Sequence, residues 1–461
     1  MAARDKIVPL VVACPLFLQN LDTSVMATAL PTMAHALHVR VLYLNLAITS
    51  YLLSLAVFLP LSGWFAERFG ARRVFCGAIA FFSLGSALCG AANSLPSLVL
   101  FRVLQGLGGA MMMPVGRLIL LRSVHSARMV AAMVWFTVPP TIGRMAGPLF
   151  GGAIVTWVSW RWIFLVNIPF GLLGIVLALT FLEKHDEDAA PAPFDAVGFV
   201  LLALGLTALL SALEATGKAL VAGWVTGATA ALGALALGLY VWRSRRKASP
   251  IIDLAILRYR TYRAAIFGGL PLRIAIGASP FLLPLMLQVG FGLSPLVSGM
   301  LTVASAIGSL ATRAVVAQTI RRVGFRSLLI GATILASLVR TSYGLFQPGT
   351  PHVLIFFALL LGGLVNSMGL VALATLGFSQ IPKPHMSHAT TFSSMAQQLS
   401  VSLGVVLGAE LVSAAAWWHG RTSQNLLASD FSPAFVALGV MTLLSLLSFV
   451  RLGRDEGAEL H

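Results

Sequence analysis

Apolar runs of roughly twenty residues recur along the whole chain, rich in Leu, Val, Ala and Phe and separated by short polar or basic segments. Twenty helical residues cover about 30 Å, the thickness of the hydrocarbon layer of a bilayer. Runs this numerous cannot be hidden in one globular core, because 58% of the 461 residues are hydrophobic, 10% are charged and the mean hydropathy is +0.91. In hydrocarbon every backbone N–H and C=O must be bonded within the structure, which leaves helices or closed barrels. The ten-residue alternation of barrel strands is missing. The pattern predicts an all-α polytopic membrane protein of fourteen helices, near 8–29, 44–66, 73–93, 96–121, 130–156, 161–182, 196–213, 220–241, 264–290, 294–319, 326–346, 352–380, 392–417 and 431–451.

A formal charge of +16 and a pI near 11.0 raise the question of nucleic acid. The basic residues lie between apolar runs, with no aromatic-interleaved basic face, so the sequence argues against that partner. With the N-terminus inside, the inner segments hold 21 Lys and Arg and the outer segments only Arg40, Arg161, Lys218 and Arg421. That imbalance predicts both termini in the cytoplasm. The first run follows Arg4 and Lys6, yet it is long and holds Gln19, Asn20 and Asp22, so it reads as a retained helix rather than a cleaved leader. Cys14, Cys76 and Cys89 have no metal-ligand spacing, which predicts neither disulfide nor zinc. No GxxxxGK[ST], HExxH or serine elbow occurs, so neither direct ATP drive, enzymatic chemistry nor a cofactor is expected. His35 with His38 and His385 with His388 form two loose pairs that read as solvated loop residues.

Two inner segments organise the chain. Residues 183–195 read EKHDEDAAPAPFD, acidic and interrupted by proline, whereas 242–263 are strongly basic. The two plain apolar helices between them divide the protein into a six-helix half over 1–182, an inserted section over 183–263 and a second six-helix half over 264–461. An internal echo supports the division: Arg68-Phe69-Gly70-Ala71-Arg72 after helix two returns as Arg322-Val323-Gly324-Phe325-Arg326 after helix ten. Each loop needs glycine for a tight turn. In transporters built from such repeats, the substrate path runs between the halves near the bilayer midplane.

The loop after helix two, Gly63-Trp64-Phe65-Ala66-Glu67-Arg68-Phe69-Gly70-Ala71-Arg72-Arg73, resembles the GxLaDrxGrk signature of the major facilitator superfamily, with Glu67 in place of aspartate. Arg102-Val103-Leu104-Gln105-Gly106 in helix four is similar to its RxxqG motif, and Gly143 through Gly147-Pro148 to Gly151-Gly152 in helix five to its antiporter motif gxxxGPxxGG. Leu21-Asp22-Thr23-Ser24-Val25 and Trp160-Arg161-Trp162 through Asn167-Ile168-Pro169 resemble the fourteen-helix drug:proton antiporters of the EmrB/QacA type, and within them the MdtD and HsrA group of multidrug exporters. The resemblance implies a bacterial inner-membrane protein that exports a small organic compound, a drug or a metabolite, in exchange for protons by alternating access. It departs from the pattern at Arg321, where the second loop would carry its acid, and at Arg144, where small residues are usual.

An ionised group deep in the bilayer costs about 2.5–3.5 kcal/mol even on the milder insertion scale, so each such residue calls for a partner or a wet cavity. Asp22 is the one acid of the first six helices away from their loops; Gln19, Thr23 and Met26 share its face. It is a candidate proton carrier, or a hydrogen-bonding anchor of helix one. Arg102, with Gln105 and Gly106 on one face, could pair with Asp22 and lose that pair on protonation, or bind carbonyls at a helix end. Glu67, Arg68, Arg72 and Arg73, with Gly63 and Gly70, are candidates for a cytoplasmic charge lock or for topology alone. Arg144 and Arg273 could meet an anionic substrate, the latter within a helix kinked by Pro271, Pro280 and Pro284. Arg117 and Arg313 read as snorkelling residues. Gln397 and Glu410, with Gln398, Ser400 and Ser402, could line a path or join helices as polar glue. Gly143, Gly147 and Gly151 form a ridge for close helix packing, and Met111, Met112 and Met113 offer a soft apolar surface that reads as core or lipid-facing. A transport-inactive sensor and a proton-independent facilitator stand as alternatives to the antiporter.

Overall fold

The computed structural model describes residues 3–123, 129–183, 194–216, 222–247, 250–382, 385–421 and 425–453. Of the basic residues that set the expected topology, Arg128, Lys184, Lys218, Lys383 and Arg454 lie outside them. The described residues are helical throughout, with no strand. They form two compact units, Met1–Val39 with Leu46–Ala196 and Arg40–Asn45 with Val197–His461.

The first unit holds α1 (Ala3–Ala36), most of α2 (Asn45–Phe58), α3 (Leu61–Phe69), α4 (Ala71–Ala91), α5 (Leu95–Ser123), α6 (Met129–Trp157), α7 (Trp162–Leu165) and α8 (Asn167–Phe181). The second helix expected from the sequence is thus two, separated at Leu59 and Pro60, since Pro60 cannot donate to the turn before it. Glycines set how closely these helices approach. A Cβ at Gly85 would lie 2.6 Å from the Gln105 backbone nitrogen, and one at Gly143 would lie 2.5 Å from the Phe17 carbonyl oxygen. At Gly147 and Gly151 it would fall on Ser24 and Thr28, so the ridge of α6 is seated on α1.

The second unit holds α9 (Ala196–Ala215), α10 (Gly223–Ser244), α11 (Arg260–Arg263), α12 (Leu270–Leu285), α13 (Pro295–Tyr343), α14 (His352–Phe378), α15 (Met386–Trp418), α16 (Ala428–Leu443) and α17 (Leu446–Phe449). π-helical turns at Ala264–Gly268 and Met286–Gly290 flank α12. At 49 residues α13 would extend about 74 Å if straight, more than twice the hydrocarbon thickness. It is broken at Gly324, whose φ 75° and ψ 166° are not helical. Leu329, Leu373 and Phe449, all fully buried, centre the packing of this unit.

The loop glycines give the two units a shared local design. Gly70 and Gly324 both have positive φ, 84° and 75°. Two residues on, Arg72 donates to the carbonyl of Leu179 near the end of α8, and Arg326 donates to that of Val450 just past α17, at 2.9 Å. A guanidinium there satisfies a carbonyl left open by the helix end and meets the negative end of its dipole.

Among the described residues, twelve segments are long and apolar enough to cross a membrane, with Pro295–Tyr343 counted once. Met129–Trp157 is a further helix of 29 residues.

Candidate functional site

The first unit buries an ionic cluster on four of its helices. Asp22 on α1 is 4% exposed and Arg102 on α5 is 1% exposed, and Arg102 Nη1 lies 2.7 Å from Asp22 Oδ2. The other carboxylate oxygen accepts from Gln105 Nε2 at 3.0 Å and from Asn167 Nδ2 at 3.2 Å. Arg102 donates further to Gln105 Oε1 at 2.7 Å and, through Nε, to the Ala47 carbonyl at 3.1 Å. Its guanidinium carbon stands 4.3 Å from the centre of the Tyr51 ring. Ser86 on α4 accepts from both Gln105 and Asn167 and donates to the Phe164 carbonyl at 2.9 Å.

Sequence spacing explains how these groups meet. Arg102 and Gln105 lie three apart on α5 and so share a face. Gly106 follows, and a Cβ there would meet Ser54 at 2.6 Å, so glycine lets α5 approach α2 closely enough for Arg102 to reach Ala47. Asn167 is the first residue of α8, held at depth by the short α7 before it. Fully desolvated, the pair is held mainly by charge and hydrogen bonding together: losing either partner leaves the other charge buried alone.

The sequence profile of the Major Facilitator Superfamily matches residues 12–405, and so takes in every helix of this cluster. The chain belongs to the major facilitator superfamily. This facilitator is 35% identical over 445 residues to MdtD of Salmonella newport (strain SL254), named provisionally for multidrug resistance, an alignment covering 96% of this chain and 94% of that one. The MdtD of Salmonella typhimurium (strain LT2) matches to the same extent. Among solved structures, an auto-inhibited POT family peptide transporter superposes with a TM-score of 0.71 at 14% identity, and a D-xylose–proton symporter with 0.69 at 15%, each covering 98% of both chains. At such identities these two speak for the fold alone. The protein is therefore a multi-pass membrane transporter of small molecules and not an enzyme.

The other candidates of this facilitator fall in different places. Gln19 donates to the Gly109 carbonyl at 3.1 Å, tying α1 to α5, and Met26 is buried. Arg144 Nη2 donates to Asn20 Oδ1 at 2.9 Å, so the cation in the glycine motif is held by α1. Pro148 and Gly152 continue the α6 ridge, and Thr156 bonds the Gly152 carbonyl at 2.6 Å. The segment expected as a loop after helix two is helical except at Gly70; within α3, Gly63 has open space around it and Glu67 is exposed, forming no ion pair with a described residue. Arg68 and Arg73 are exposed as well, and Arg72 is spent on Leu179. Arg273 is buried on α12 with its Nη1 unpartnered, Gln397 is exposed on α15 and Glu410 is half-buried. Ser400 and Ser402 are fully buried, so they face packed neighbours.

Sequence reasoning missed several polar groups. Ser86 and Asn167 complete the Asp22 cluster; Asn167 was visible only as part of a family stretch, and a lone serine in an apolar helix carries little signal. Glu214 on α9, 4% exposed, accepts from Asn45 Nδ2 at 3.1 Å, so the inserted helices are not polar-free. A single acid within Ala196–Ala215 was the available sign. Arg340 is 1% exposed and donates to Thr442 Oγ1 at 2.8 Å and Asn366 Oδ1 at 3.1 Å. Asp430, inside α16 because that helix starts earlier than expected, binds Arg421 at 2.6 Å and His419 at 2.9 Å.

Proposed function

We propose that this facilitator is a secondary active antiporter, exporting a small organic compound in exchange for protons, with Asp22 as the proton carrier and Arg102 as its charge partner. The buried pair at 2.7 Å is the observation that carries this reading. With Asp22 ionised, the carboxylate holds α1 to α5, and α8 through Asn167. Protonation removes the negative charge and leaves a guanidinium that is always charged, buried and short of its partner. The cluster then favours a different packing of α1 against α5, so proton binding and helix arrangement are linked. Asn167 supplies a route for the proton's own hydrogen bond: its Oδ1 is buried and accepts from no described residue. Turning that amide over presents an acceptor to a protonated Asp22.

Alternating access needs helices that can shift against each other, and the α6–α1 contact fits that use, since its glycines let the small side chains of Ser24 and Thr28 seat directly on the α6 backbone. The segment from Gly63 to Arg73, the end of α3 and the start of α4 joined at Gly70, acts as the cytoplasmic lock in another state, with exposed Glu67 as its acid. Fourteen crossings follow when α13 is counted twice at Gly324 and α6 is added to the twelve apolar segments. The inserted pair α9 and α10 then leaves two six-helix halves, both termini in the cytoplasm and the chain in a bacterial inner membrane. MdtD's name favours a drug-like cargo for a chain so similar in length and sequence.

The test is reconstitution in vesicles with an imposed pH gradient. Export that rises with the gradient and collapses in Asp22→Asn supports the scheme. Concentrative export that survives Asp22→Asn ends it, and binding without flux under any gradient would instead favour a sensor.

A further inference from the structure

Several described arginines of this protein have their charge met by a named group, among them Arg102 and Arg340, which are buried, Arg421, which is half-buried, and Arg144, which is exposed. Arg102 has Asp22, Arg421 has Asp430, Arg144 has the Asn20 amide oxygen, and Arg340 has Thr442 and Asn366. Arg273 has none: it is 7% exposed, its Nη1 is fully buried without a hydrogen-bond partner, and no described carboxylate lies within ion-pair distance. A guanidinium cannot shed its proton to escape this situation, as a buried lysine can.

Its helix is built unlike its neighbours. Pro271, Pro280 and Pro284 each lack an N–H, and π-helical turns lie at both ends, Ala264–Gly268 and Met286–Gly290. Such turns occur in short pieces, frequently where a helix carries a function. The neighbouring Leu272 donates its backbone N–H to Ser445 at 3.2 Å, and Gly277 lets α15 approach so closely that a Cβ would lie 2.5 Å from the Val401 Cα. Residues 272 and 277 are therefore fixed on either side, while the buried cation between them has an Nη1 with no hydrogen-bond partner.

We propose that the compound carried by this facilitator is an organic anion, and that Arg273 binds its carboxylate, sulfonate or phosphate. The inference rests on the transport reading above and specifies its cargo. A planar fork of donors matches a two-oxygen anionic group and repels a cation. Arg340 marks the contrast within the same unit, since both of its terminal nitrogens already donate to neutral oxygens, those of Thr442 and Asn366.

The test uses purified full-length protein and four probes of one shape: benzoate, benzenesulfonate, neutral benzamide and cationic benzyltrimethylammonium. Equilibrium binding is measured for wild type, Arg273→Gln and Arg273→Lys, with Arg340→Gln as a control. Expected are binding of the two anions only, a loss of about tenfold or more in Arg273→Gln, partial retention in Arg273→Lys, and little change in Arg340→Gln. Should Arg273→Gln fail to fold, the lysine variant decides through a weakened preference for the anions. Binding of the cation, equal anion binding in Arg273→Gln, or no anion binding at all overturns the proposal. Chloride that competes as well as benzoate overturns the organic-anion assignment in favour of an inorganic ion. Flux in vesicles separates the two readings: anion binding through Arg273 without flux removes transport and keeps this site, whereas gradient-driven flux of the cation, unchanged in Arg273→Gln, does the reverse.

Discussion

Each unit of the protein buries an arginine beside a hydroxyl and an amide, and only the first supplies a carboxylate. Sixteen residues beyond the loop glycine stands Ser86 in the first unit and Arg340 in the second. Around Ser86 gather Gln105, Asn167, Asp22 and Arg102; around Arg340 gather Asn366 and Thr442. The second cluster thus has a guanidinium where the first has a hydroxyl. This difference decides what each can do. A carboxylate–guanidinium pair changes its charge when one proton arrives, whereas an arginine held by neutral oxygens has no proton to gain or lose near neutral pH. On the proposed reading, switching belongs to the first unit, and the Arg340 cluster of the second holds fixed positive charge.

The largest effect expected from that contrast comes from breaking the pair. Asp22→Ala strands Arg102 at 1% exposure and should cost about 3–5 kcal/mol, read as a drop in melting temperature of the purified protein. Replacing both members with apolar residues, Asp22→Leu with Arg102→Met, should recover most of that stability while proton-driven export stays absent. If the double variant still exports against a gradient, the pair is structural only.

Next in size is the glycine ridge. A Cβ at Gly147 lands on Ser24 and its backbone, where neither helix can give way, so Gly147→Ala should cost about 1–3 kcal/mol by overpacking. Its transport rate should fall further than that of Gly63→Ala, which meets open space. Equal rates in the two variants would show that the α6–α1 contact does not move during transport.

How much of this was legible in the sequence depends on the kind of signal. Long apolar runs gave the helical type and the many crossings because a bilayer imposes length directly, although fourteen runs were expected and twelve spans meet that length and hydropathy among the described residues; the Gly70 and Gly324 turns were readable because a positive φ selects glycine. Asp22 and Arg102 stood out as charges where charge is expensive. That they meet at 2.7 Å is a matter of how α1 and α5 pack, which spacing along one helix cannot express. Ser86 is invisible, and Asn167 readable only within a family stretch, for a related reason: a neutral side chain in an apolar helix costs little unless its partners are known. The π-helical turns around α12 escaped because proline signals a kink without saying how the backbone repairs it. The position of Arg340 opposite Thr442 arises from a fold the two units share, so the loop repeat pointed near it without naming it.

A smaller effect is expected from the second arginine. Arg340→Met removes a buried charge that has no carboxylate, leaving Thr442 still bonded to the Leu438 carbonyl at 2.8 Å. Stability should change by about 1 kcal/mol or less in either direction, because loss of two hydrogen bonds is offset by ending the burial of an ion. The pH profile of export should stay that of wild type, whereas Arg102→Met should flatten it. A shifted profile in Arg340→Met would show that both clusters switch, and the contrast between units would fail.

The smallest effect tests whether the two units pack their equivalent helices with equal tightness. In the second unit α15 lies on α12 as α6 lies on α1 in the first, and Gly408 lies on that contact. The atoms nearest to a Cβ there are the branched end of the Leu282 side chain, Cγ and its two methyls at 3.2–3.4 Å, instead of a backbone or a short side chain. Leucine can turn aside by a few tenths of an ångström, and alanine is the better helix former by about 1 kcal/mol. Gly408→Ala should therefore leave the melting temperature unchanged or raise it slightly, with export close to wild type. A loss as large as that of Gly147→Ala would mean that α15 slides on α12 as well, and that motion, unlike proton switching, is shared by both units.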